Sequence, residues 1–76
     1  MIFIDKLGHM ITDGPIDELH IFANKLGLRR EWFQFEGTWK QHYDLTTENA
    51  KRRAVAAGAK LIDPRVLVKK LMGVNK

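Results

Sequence analysis

A chain of 76 residues makes one domain, and a domain of that size hides only about 60% of the surface its unfolded form exposes, so its stability is marginal or shared with a partner. With 45% hydrophobic and 29% charged residues it reads as a folded domain, neither a disordered tail nor a membrane protein, and the absence of cysteine excludes a disulfide-stapled scaffold and every thiolate metal site. The net charge of +4 favours an anionic partner.

The N-terminus reaches an acid at Asp5 without a basic lead or a long apolar run, which does not read as a signal peptide. No segment approaches the roughly 20 apolar residues of a membrane span. The expected location is a reducing cytoplasm.

Ile2-Phe3-Ile4 and His9 to Thr12 read as two short strands joined by a turn at Lys6-Leu7-Gly8. Asp13-Gly14-Pro15 opens a helix over about 15 to 26: Asp13 or Gly14 caps it, Pro15 takes its first position, and Asp17 and Glu18 meet the positive end of its dipole. Ile16, Leu19, Phe22, Ala23 and Leu26 share one face, and Gly27 stands where a left-handed cap ends the helix.

From Leu28 to Leu45 the aromatic residues Trp32, Phe33, Phe35, Trp39 and Tyr43, interrupted by Gly37-Thr38, predict strand, loop, strand. At least two of Trp32, Phe33 and Phe35 are expected in the core, because so small a domain needs its large rings inside. Thr46 or Thr47 caps a second helix ending near Ala57 and Gly58, with Ala50, Ala54 and Ala57 as a narrow packing face and Lys51 and Arg52 outside. Ala59 to Ile62 forms a last strand, and Asp63-Pro64 starts a third helix that ends near Gly73. The two Asp-(Gly)-Pro starts reflect shared capping chemistry and not a repeat. The fold class is α/β or α+β, a single small sheet with about three helices packed on it.

All three histidines lie near acids. His42 and Asp44 are two apart and share a face if they lie in a strand; a distant histidine would then complete a two-histidine, one-carboxylate set suited to a divalent metal. Tyr43, between them, faces the other way in a strand, so either its ring is core while His42 and Asp44 line a site, or the reverse. His9 sits four residues before Asp13 at a strand start, and His20 lies at the border between the apolar face of its helix and solvent.

Arg29 and Arg30, beside Trp32 and Phe33, could grip phosphate oxygens next to rings that stack on bases. Lys51-Arg52-Arg53 and Lys69, Lys70 and Lys76 are further basic clusters that read as solvated faces. No phosphate loop, dinucleotide fingerprint or H-E-x-x-H motif occurs, and there is no serine, so histidine acid–base chemistry is what remains for catalysis.

Taken in order, Asp5, His9-Met10-Ile11-Thr12-Asp13, Glu18-Leu19-His20-x-Phe22-Ala23, Leu26-Gly27-Leu28-Arg29-Arg30, His42-Tyr43-Asp44 and Arg53-Ala54 with Gly58-Ala59 resemble a family of small bacterial and phage proteins known only as a domain of unknown function. The chain departs from that pattern in a longer insert from Glu36 to Gln41. The resemblance implies a site drawn from His9, Asp13, His20, Arg29, Arg30, His42 and Asp44, and a regulatory or counter-defence role.

Three readings follow. In the first, the protein binds a phosphorylated small molecule, a nucleotide or a nucleic-acid terminus: Arg29 and Arg30 hold phosphate, His9, His20 and His42 hydrogen-bond the ligand, and Asp13 and Asp44 orient the imidazoles. The second is a phosphoesterase or nuclease with His42 or His20 as general acid or base, Tyr43 as a further proton donor, and room for a divalent metal. The third is an inhibitor that docks on a host protein through Trp32, Trp39 and the basic helix. Homo-oligomers are compatible with all three.

Overall fold

The computed structural model describes residues 1–74, which leaves Lys76 of the expected basic cluster outside them. Five strands and three helices follow one another as β1 (Ile2–Ile4), β2 (His9–Thr12), α1 (Ile16–Lys25), β3 (Phe33–Gln34), β4 (His42–Asp44), α2 (Glu48–Ala56), β5 (Lys60–Leu61) and α3 (Pro64–Val74), with a 3-10 turn over Arg30–Trp32 before β3. They form one mixed sheet in the order β3-β4-β2-β1-β5, antiparallel throughout except where β5 runs parallel to β1. The class is α+β, as expected.

The alternation of side chains along each strand divides the core in two. Ile2, Ile4, Met10, Tyr43 and Phe33 point to the face covered by Leu19, Ala23 and Leu26 and by Ala54 of α2, whereas Phe3 and Ile11 point to the opposite face and meet Leu67 and Leu71 of α3. The ammonium of Lys70 lies 4.3 Å from the Phe3 ring centroid and helps to cover that second face.

Helix ends follow the glycine pattern. After α1, Gly27 has φ +80°, its N–H donates to the Asn24 carbonyl, and the Leu28 N–H donates to that of Ala23. Gly58 after α2 has φ +120°, with the same two bonds reaching Val55 and Ala54. Both are Schellman closures, which satisfy carbonyls that a helix end leaves open. Thr47 caps α2 by accepting from the Ala50 N–H, and Asp63 receives the Arg65 N–H where α3 begins.

The third helix runs to Val74, beside the expected end near Gly73. Three expectations need correction. Neither Asp13 nor Gly14 caps α1: Pro15 is the capping residue, and the Asp13 carboxylate turns instead to the Met1 ammonium at 2.9 Å. Of the aromatic trio only Phe33 is core; Trp32 belongs to the 3-10 turn and Phe35 to the loop after β3 with φ +55°, and both rings are exposed. Ala57 is exposed too, because the helix has already ended there, so the stripe packs through buried Ala54 and half-buried Ala50.

Candidate metal centre

On the face that α3 covers over β1 and β2, the neighbouring surface of β2 and β4 carries three polar side chains. Cross-strand pairing sets His9 opposite Asp44 in adjacent strands, and the two-residue period brings His42 to the same side as Asp44. His9, His42 and Asp44 offer ligand atoms that all lie within 4.8 Å of one another. Asp44 Oδ1 is 3.3 Å from His42 Nε2 and 3.8 Å from His9 Nε2. A tetrahedral ion with bonds of about 2.0–2.1 Å separates its donors by roughly 3.3 Å, a spacing that the Asp44–His42 pair already has and toward which His9 would have to close.

Each donor is held from behind. His9 Nδ1 is 2.9 Å from Oδ2 of Asp5, and His42 Nδ1 contacts the Lys40 carbonyl. A carboxylate and a carbonyl only accept, so both imidazoles donate from Nδ1, and their Nε2 atoms turn toward Asp44. The second carboxylate oxygen of Asp44 accepts from Gln34 Nε2 at 2.6 Å, which turns Oδ1 toward the histidines. The two rings meet edge to face with centroids 5.0 Å apart. Such outer partners fix the tautomer and aim of metal-binding histidines.

The turn between β1 and β2 builds this support. Asp5 is 1% exposed, and its Oδ1 accepts the N–H groups of Leu7 and His9. Gly8 has φ +98°, and its carbonyl accepts the Leu45 N–H at 2.8 Å, which ties the turn to the residue after β4. Lys51 of α2 donates to the Lys6 carbonyl and pairs with Glu48, fastening the turn from outside.

The other expected site residues lie elsewhere. Asp13 is at the far end of β2 beside Met1 and Glu18, so the carboxylate that orients His9 is Asp5. His20 and Tyr43 are on the opposite face of the sheet, where Tyr43 is buried and its hydroxyl is 2.7 Å from His20 Nδ1. Burial, reinforced by the charge of Arg30, lowers the His20 pKa from its usual value, and burial raises that of Tyr43. A phenol and an imidazole, both kept neutral by burial, therefore share this hydrogen bond. Arg29 pairs with Glu31 and Arg30 with Glu36, at 3.1 and 2.9 Å, both at the exposed surface.

Asp5 and Gln34 are the two supporting residues that sequence reasoning did not assign to the site. The four-residue spacing of Asp5 and His9 across a Gly-containing turn was the available signal for the first. For Gln34 only the pairing of β3 with β4 reveals it.

The family model described as "Protein of unknown function (DUF4031)" matches residues 4–73. The chain belongs to this family. The match spans Asp5, His9, Gln34, His42 and Asp44, so the whole cluster lies within the DUF4031 region. No curated protein matches the chain, and no solved structure does. Among the described residues no helix of this DUF4031 chain is long and apolar enough to cross a membrane.

Proposed function

We propose that the protein is a divalent-metal-dependent phosphoesterase whose ion is held by His9, His42 and Asp44. The observation that carries this reading is the convergence of three donors, each oriented by a separate partner: Asp5, the Lys40 carbonyl and Gln34. Packing alone has no need to bring two imidazole Nε2 atoms to one carboxylate oxygen. Two imidazoles and one carboxylate leave coordination positions open, the arrangement of a catalytic and not a closed structural site.

A bound dication supplies Lewis acidity toward a phosphoryl oxygen and a water of lowered pKa. The protein's part is to keep both histidines in the metal-binding tautomer and to fix Asp44 at one oxygen. Two neutral imidazoles and one carboxylate leave net positive charge on a bound dication, which with the basic balance of the chain favours a phosphorylated ligand. In this reading His42 is a ligand and not a general acid, and the phosphate is held at the metal, since Arg29 and Arg30 are engaged by Glu31 and Glu36.

Calorimetric titration of chelator-stripped protein with Zn2+ and Mn2+ should show one ion per chain, and His42→Ala or Asp44→Ala should weaken it by at least about 100-fold. Metal-loaded protein should then hydrolyse bis(p-nitrophenyl) phosphate or a nucleotide, and chelator should stop it. Failure of the native chain to bind any of these ions ends the proposal. Metal binding with the phosphorylated ligand recovered intact would make the same centre a sequestering module.

A further inference from the structure

We infer that the cleft beside Asp44 is a nucleoside-binding subsite, so that the substrate class of the proposed centre is a nucleoside phosphate; this rests on the metal reading above. The cleft has a volume of about 580 Å³, within the usual range for a small-ligand site, and its wall includes both Asp44 and Gln34. Two residues of the proposed centre, the ligand Asp44 and its partner Gln34, thus also line the space where the organic part of a substrate would lie.

The rest of the wall has the mixed character a nucleobase needs. Trp32, Leu28 and Ala50 offer apolar surface, while Thr46 adds a hydrogen-bonding group. Trp32 is 45% exposed, although a domain this small gains most by burying an indole. A half-exposed indole lining a cleft that shares Asp44 with the proposed metal centre would serve as a stacking platform, and base stacking on such a ring is commonly worth about tenfold or more in affinity.

The walls are also fixed in place. Arg53 of α2 donates to the Leu26 carbonyl at 2.9 Å, joining α2 to the end of α1. The Schellman closure at Gly27 turns the chain into Leu28, and Thr47 caps the facing start of α2. A ligand would enter a preformed space, which limits the ordering cost of binding.

The test uses the full chain carrying Trp39→Phe, which leaves Trp32 as its one tryptophan, loaded with Zn2+ and checked for metal by calorimetry in parallel. Adenosine 5′-monophosphate should quench Trp32 emission and bind at least tenfold more tightly than ribose 5-phosphate or inorganic phosphate. Trp32→Ala should erase that margin while metal and inorganic phosphate affinities stay within twofold, and Trp32→Phe should restore most of it. If metal binds normally but the adenine moiety adds no affinity, or if Trp32→Ala keeps the margin, the subsite is refuted and the metal centre stands. If no metal binds, the phosphoesterase reading fails on its own count, and quenching by the nucleotide would then show a nucleoside site without a metal.

Discussion

Asp5 does more for the candidate centre than any residue that would touch the ion. Its two oxygens accept from Leu7 N, His9 N and His9 Nδ1, so one buried carboxylate shapes the turn and selects the tautomer. In Asp5→Asn one oxygen still serves the turn, but an amide NH2 now faces His9 Nδ1. The ring must then accept there and carry its proton on Nε2, where the metal would bind. Metal affinity should fall about 10–100-fold with circular dichroism unchanged, and nitrogen chemical shifts of His9 should report the swapped tautomer. His20 has a separate signature. Its pKa is lowered in the fold by burial and by Arg30, opposed by Glu36 and Asp17, while Tyr43 takes its Nδ1. The unfolded chain then binds the proton more readily, so the stability linked to this ring is complete above the ordinary value of 6.5 and is lost as pH falls through the lower folded value. Thermal melts from pH 7.5 to 5 should show this loss, and His20→Gln should flatten it. At this scale the His-x-Asp pair was legible because strand period alone puts His42 and Asp44 on one side. The choice between Asp5 and Asp13 for His9 was not, because each is four residues away. A strand carries four residues about 13 Å, which takes Asp13 out of reach, whereas the turn folds Asp5 back.

The turn at Gly8 joins two elements and tolerates no side chain. A Cβ there would stand 2.1 Å from the Leu45 carbonyl oxygen, and φ is +98°. Gly8→Ala should therefore cost roughly 3 kcal/mol, seen as a drop of at least about 10 °C in Tm, and should loosen the register that brings His9 to Asp44. Gly27→Ala meets nothing within 4 Å and carries only the cost of its φ of +80°, so it should destabilise less in the same assay. Helix boundaries were readable because caps and terminators act over four or five neighbouring residues. Between Arg30 and Asp44 the strand, loop and strand were legible too, but the burial of the rings was not: which ring turns inward depends on the pairing of Phe33 with Tyr43, a contact ten residues away. Phe33 is thereby buried while Trp32 and Phe35 on either side are left at the surface.

Over the whole molecule, the proposed ligands tie the first hairpin to β4 and exist together only in the folded chain. An ion at 100 times its dissociation constant adds about 2.7 kcal/mol to folding stability, a rise of roughly 10–20 °C in Tm for a domain of this size. Scanning calorimetry with and without chelator should show that rise in the native sequence and not in His42→Ala. The class of fold was legible as alternating strands and helices, but the strand order was not, since nothing local tells β4 to pair with β2 or β5 to return to β1. That order also places the two shortest strands, β3 and β5, at the borders of the sheet. Each border strand is two residues long and so presents little free backbone for another chain to add to. The sheet is self-limiting, and any association between copies would have to use side-chain surfaces and not a continued ladder.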